Sequence, residues 1–147
     1  MRWQWIDRIE SFEPWRAARA LKALSFEECA LARIVGRQCD FPESLVLASC
    51  LELVRLLVAV SSGFTRSCTL AAVDRFAFER VGGPGGVLQL SAEVRARDEH
   101  ALSAGCRVSC AGRSVGEGML EVSLHPMADF ADPELVAAMW RERGGGT

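Results

Sequence analysis

The sequence predicts a single α+β domain, an antiparallel sheet wrapped around one long central helix. Three observations predict it. From Leu45 to Val60 almost every residue is apolar, and a helix that is apolar nearly all round must be covered on most sides by its own protein. The second half of the chain then holds four strand-like segments in succession, separated by polar or glycine-rich breaks. Finally, 147 residues of ordinary composition, 50% hydrophobic and 24% charged, suit one core rather than two. The expected domain runs over 1–143, with 144–147 as a disordered glycine-rich tail.

Taken in order, the first elements are ambiguous. Trp3 to Phe12 and Arg16 to Leu24 each suit a strand or a short helix. Ser25-Phe26-Glu27-Glu28 reads as a helix start, with Ser25 and Glu28 spaced as a capping box. Asp40-Phe41-Pro42-Glu43 offers a second cap, a proline suited to a first turn and an acid behind it. The central helix follows, and only Ser49, Glu52 and Arg55 interrupt its apolar run with strongly polar groups. Twenty helical residues span about 30 Å, long enough for a bilayer. An acid and a base at mid-segment cost roughly 2.5–3.5 kcal/mol each there, so a helix buried in protein is expected, and no membrane partner.

The strand-like segments run Thr69 to Arg80, Val87 to Arg97, Ala101 to Arg113 and Ser114 to Leu124. The second alternates cleanly, with Leu88, Leu90, Ala92 and Val94 on one parity and Gln89, Ser91, Glu93 and Arg95 on the other. Short connections predict an antiparallel meander of all four. His100 falls in the polar tip Asp98-Glu99-His100, and His125 leads into the C-terminal segment. Asp132-Pro133-Glu134 opens a last helix reaching about Arg143.

Composition excludes several functions. A net charge of −2 with scattered Lys and Arg lacks the dense basic face that nucleic-acid binders need, so no nucleic-acid partner is expected. The six cysteines, Cys29, Cys39, Cys50, Cys68, Cys106 and Cys110, form no CxxC pair, and only two histidines are present. No metal and no cofactor are therefore expected. Met1 to Asp7 shows no apolar stretch before its first acid, so a cytoplasmic protein with reduced, mostly buried thiols is expected. Cys39 and Cys50 have no histidine beside them to make either a nucleophile. Gly82 to Gly86 is not a phosphate loop, because no Lys-Ser/Thr and no helix follow it. Trp3, Trp5, Trp15 and Trp140 are expected in core or interface packing.

Three stretches resemble the bacterial β-hydroxyacyl-acyl-carrier-protein dehydratases, which have the hot-dog fold. Trp5-Ile6-Asp7-Arg8-Ile9 is similar to that family's opening. Phe41-Pro42-Glu43-Ser44-Leu45-Val46-Leu47 resembles the stretch where it enters its central helix. Val73 to Arg80, followed by Pro84-Gly85, resembles its strand of alternating Phe and Arg before a Pro-Gly turn. The resemblance covers roughly Trp3 to Leu124. It implies a domain that binds acyl thioesters on acyl carrier protein or coenzyme A in fatty-acid or polyketide metabolism. It also implies a dimer, either a homodimer or a heterodimer with a dehydratase paralogue.

The family's catalytic pair is missing. With Pro42 as the proline that opens the helix, the family acid falls on Ala48, and its histidine falls on Arg33 or Ile34. The glutamine one turn beyond the acid falls on Glu52. The resemblance thus assigns acyl-thioester binding to Pro42, Glu43, Ala48 and Glu52, with degenerate catalysis or a non-catalytic partner role. Ala48, Glu52 and Arg55 share one helix face. Glu52 is therefore the candidate catalytic carboxylate of an alternative, an active dehydratase or thioesterase. The plainer alternatives are a structural Glu52–Arg55 ion pair and a dimer that takes no ligand.

Overall fold

The computed structural model describes residues 5–29, 41–81 and 84–146. Its strands are β1 (Arg8–Glu13), β2 (Ala17–Ala23), β3 (Arg66–Phe78), β4 (Val87–Arg97), β5 (Ala101–Cys110) and β6 (Arg113–Pro126). The central helix, α1, spans Glu43–Ser61, and a C-terminal helix, α2, spans Pro133–Glu142 after a 3-10 turn at Met127–Asp129. All six strands join one antiparallel sheet in the order β1-β2-β4-β5-β6-β3.

The sheet curls around α1 because both present continuous apolar surfaces. Val46, Cys50, Leu53, Val54 and Leu57 recur at helical spacing and are fully buried. They meet Leu88, Leu90 and Ala92 of β4, Leu102, Ala104, Cys106 and Val108 of β5, and Leu120 and Val122 of β6. The β4 alternation predicted from sequence is the one observed, with the Leu88 parity buried and the Gln89 parity turned outward. A helix apolar enough to span a bilayer is here the core of the domain.

Two sequence expectations need correction. The four late strands do not form one meander: β4, β5 and β6 do, but β3 pairs with β6 and forms the far edge. The β3–β4 connection therefore crosses three strand spacings, about 14 Å. The eight residues between Phe78 and Val87 can reach that far, since an extended residue covers about 3.3 Å. Pro42 stands at the N-cap of α1 rather than in its first turn. Its extended backbone leaves the carbonyl free to accept from the amides of Leu45 (3.0 Å) and Val46 (3.2 Å). Asp40, the expected cap, lies outside the described residues.

The N-terminal segments resolve as a hairpin. The two stretches of ambiguous pattern become β1 and β2, and β2 pairs along its whole length with β4, from Ala17 opposite Glu93 to Ala23 opposite Val87. The capping box forms as read: the amide of Glu28 donates to Ser25 Oγ (3.1 Å) and that of Ser25 to Glu28 Oε2 (3.2 Å). Glu28 also accepts from Lys22 Nζ at 2.6 Å, and both side chains are buried.

In β3 a bulge at Arg75, whose φ is 52°, lays the Phe76 ring across β6. There Gly118 is required, since a Cβ would come 2.5 Å from Phe76 Cα. Phe76 in turn stacks on Phe78, ring centroids 4.9 Å apart.

The C-terminal helix straps the outer side of α1 and ties back to β1. The amide of Ile9 donates to the Arg143 carbonyl at 2.7 Å, and the buried Trp140 meets Phe12 edge-on. Residues 144–146 fold back on Trp140, whose Nε1 donates to the Gly146 carbonyl at 2.9 Å. A buried indole N–H needs an acceptor, and the glycine tail supplies it where the sequence suggested disorder. Trp15 is half-buried beneath the Arg97 guanidinium, 4.1 Å from its ring centre.

Lys22→Met should destabilise the fold by roughly 3–5 kcal/mol, because it strands the Glu28 carboxylate in the interior. Denaturant unfolding checks this, and the Lys22→Met/Glu28→Leu double variant should recover most of the loss.

Candidate functional site

The central helix carries a single acid after its first residue, Glu52, and the fold sets it where sheet, helix and strap meet. Glu52 lines a cavity of about 320 Å³ with Arg55, Leu56 and Ala59 of α1. Ser67, Cys68 and Thr69 of β3 form the facing wall, and Met127, Phe130, Ala131 and Val136 of the C-terminal segment close it. The volume lies in the range of small-molecule pockets, and the lining follows their pattern of apolar walls with few polar groups.

Two arginines hold the carboxylate. Glu52 Oε1 is 3.6 Å from Arg143 Nη1, and Oε2 is 3.9 Å from Arg55 Nη1. The structural ion pair weighed from sequence is therefore present, with an added partner contributed by the end of α2. Both contacts are longer than a direct hydrogen bond, about 2.7–3.2 Å, so the carboxylate lone pairs stay available to a third group. Glu52's side chain keeps 19% of its exposure and Arg143's 10%. Arg143 Nη1 is buried and has no hydrogen-bond partner among the described residues. Arg55 reaches across the sheet edge, its Nε donating to the Cys68 carbonyl at 3.3 Å.

The thiol beside this carboxylate is a poor nucleophile. Burial pushes Cys68 up to about 12, with Arg55 lowering it and Glu52 raising it. Cys50 is raised as well, first by its hydrogen bond with Cys106 and then by burial. Cys29, Cys50, Cys68 and Cys106 are buried and Cys110 is half-buried. Cys39 lies outside the described residues. Among the described residues no three His, Cys, Asp or Glu side chains converge as a metal site would require.

Of the acyl-thioester-binding positions that the resemblance assigns, Glu52 alone lines this cavity. Ala48 is half-buried one turn earlier on the same helix face. Pro42 and Glu43 stand at the helix start, and nine residues at 1.5 Å each put Glu43 about 13 Å from Glu52 along the axis. Arg33 and Ile34 lie outside the described residues. Sequence reasoning did not find Arg143, Thr69 or Phe130 as neighbours of Glu52. His125, read from sequence only as leading into the C-terminal segment, has its Nε2 2.8 Å from Thr69 Oγ1. No local pattern signals these pairings, because each joins elements far apart in the chain.

A central helix in a curled six-stranded sheet, with a cavity where the helix meets the edge strand, is the hot-dog arrangement. Solved structures agree. The chain is similar to the fluoroacetyl-CoA thioesterase FlK, with a TM-score of 0.69 at 12% identity over 91% of this chain and 98% of that one. It is similar to smu.793 of Streptococcus mutans UA159, solved with acetyl-CoA, at TM-score 0.65 and 11% identity over 81% and 88%. It is also similar to the E. coli PaaI protein of the phenylacetic acid degradation operon, at TM-score 0.62 and 14% identity over 79% and 81%. No protein-family model matches the chain, and no curated protein matches it by sequence. The fold is thus a hot-dog fold; its structural neighbours include thioesterases and do not single out the dehydratases.

Cys68 should resist iodoacetamide in the folded protein at mildly alkaline pH, while half-buried Cys110 reacts before it. Peptide mapping after timed alkylation checks the order.

Proposed function

We propose that the protein binds acyl-CoA thioesters in the Glu52 cavity and hydrolyses them, with Glu52 as the carboxylate that holds the attacking water. One observation carries this reading. An otherwise apolar helix places its mid-segment acid on the wall of a ligand-sized cavity, with lone pairs that neither neighbouring arginine fully engages. Similarity in fold to FlK, a fluoroacetyl-CoA thioesterase, and to smu.793, solved with acetyl-CoA, favours coenzyme A over a protein carrier.

The chemistry follows from the placement. A water held by Glu52 loses its proton to the carboxylate as its oxygen attacks the thioester carbonyl carbon. Arg55, at the cavity wall, offers its guanidinium to the carbonyl oxygen as charge develops there. Leu56, Ala59, Met127 and Val136 give a short acyl group an apolar surround.

The second reading is a dehydratase-like subunit of fatty-acid or polyketide metabolism that binds acyl thioesters without turning them over. Ala48 at the family's acid position favours it. A cytoplasmic location is part of either proposal.

A homodimer through β3 is proposed with both. The strand is a sheet edge, and it leaves Leu70 39% and Val73 41% exposed. An apolar edge strand of that length is normally covered by a partner.

Glu52→Gln should lower kcat for short acyl-CoA hydrolysis by on the order of 10²–10⁴-fold without loss of the fold. Thiol release against a panel of saturated and 3-hydroxyacyl thioesters measures it. An unchanged rate removes Glu52 from the chemistry, and a folded wild-type chain that binds but never turns over favours the second reading. Val73→Asp should shift the dimer to monomer in sedimentation analysis.

A further inference from the structure

One buried side-chain polar atom among the described residues has no hydrogen-bond partner, Nη1 of Arg143. A guanidinium N–H sealed from water and left unpaired is costly, so its placement calls for a cause. Glu52 Oε1 stands 3.6 Å in front of it. Because Nη1 is closed to solvent, neither water nor substrate meets Arg143 at this atom. Arg143 therefore backs Glu52 from the protein side. Arg55 is placed differently: its side chain keeps 42% of its exposure and lines the cavity itself.

The fold holds Arg143 from a direction that α1 cannot supply. Arg55 lies three residues from Glu52 on the same helix, a spacing at which any helix can form a pair. Arg143 instead ends α2, where its carbonyl accepts from the amide of Ile9 at 2.7 Å. Three residues earlier the buried Trp140 meets Phe12 edge-on, ring centres 5.2 Å apart. The last turn of α2 is thus anchored to β1 at two points, and the guanidinium reaches Glu52 from there. We propose that Arg143 is a positioning residue for Glu52. It keeps the carboxylate from turning fully onto Arg55, so that lone pairs stay directed at the cavity and at the attacking water. Arg143 touches no substrate and acts only through Glu52. This rests on the hydrolase reading and adds no step to it. The water proton still passes to Glu52, and the guanidinium keeps its charge throughout.

The test uses the full chain with Arg143→Met, Arg143→Lys and the Glu52→Gln/Arg143→Met double variant. Each keeps the backbone carbonyl that Ile9 bonds. Arg143→Met should lower kcat for acetyl-CoA by on the order of 10²-fold, the scale of a misplaced reacting group. KM should hold, because substrate never meets the guanidinium, and Arg143→Lys should recover most of the rate. In the Glu52→Gln background, Arg143→Met should cost nothing more, since the two residues act as one unit. A kcat per folded chain equal to wild type in Arg143→Met, or a loss that adds in full to that of Glu52→Gln, overturns the proposal. Should Arg143→Met fail to fold, Arg143→Gln, too short to reach Glu52, takes its place with the same expectations. The second arm needs no turnover: crystal structures of the wild type and the variant are compared. The Glu52 carboxylate should turn toward Arg55 in the variant, and an unmoved carboxylate overturns the proposal. A wild type that hydrolyses nothing overturns the hydrolase reading instead. In that inert chain the crystallographic arm alone decides whether Arg143 sets the place of Glu52.

Discussion

Everything in this domain depends on covering α1. A nineteen-residue helix with buried residues on nearly every side cannot be left to water or to a single flat surface. The sheet has to curl around it, and β4, β5 and β6 supply stripes of alternating apolar residues. Cys50 hydrogen-bonds Cys106, both buried, where the helix meets the sheet. The strap formed by α2 completes the cover on the remaining side.

That constraint also explains where polar chemistry is possible. Glu52 and Arg55 are the charged interruptions of the helix beyond its first residue, and they fall on the stripe that faces the strap and the edge of β3. A charged group there would be expensive without a partner, and Arg143 arrives from the end of α2 to provide one. The pairing stays longer than a direct hydrogen bond on both sides, so the carboxylate is held without being used up. Structural need and the proposed ligand contact fall on one residue, and the long ion pairs leave room for both.

Much of the fold was legible in the sequence where the signal is local. The Leu88 parity of β4, the unbroken apolar run of α1 and the Ser25–Glu28 capping box all depend on near neighbours, and all formed as read. Alanine-rich β2 carried no clear period, because small side chains suit both helix and strand, and its pairing with β4 decided it. The place of β3 was not legible either: short connections suggest neighbours, but the glycine-rich link spans the sheet and puts β3 beside β6. The candidate site divides the same way. Glu52 stands out as an acid in an apolar helix, whereas Arg143 and Thr69 come near it only through the return of α2 and the place of β3 at the sheet edge. The resemblance placed the helix start at Pro42–Glu43, where α1 begins, and its hot-dog fold is the one observed, while the structural neighbours do not single out the dehydratases.

The most direct measurement is a crystal structure of the full chain with a non-hydrolysable acetyl-CoA thioether. The account predicts the acyl group in the cavity between α1 and β3, its carbonyl within reach of a water on Glu52. An acyl group seated elsewhere, at the Pro42–Glu43 helix start or on the outer face of the sheet, with the Glu52 cavity filled only by solvent, would contradict it.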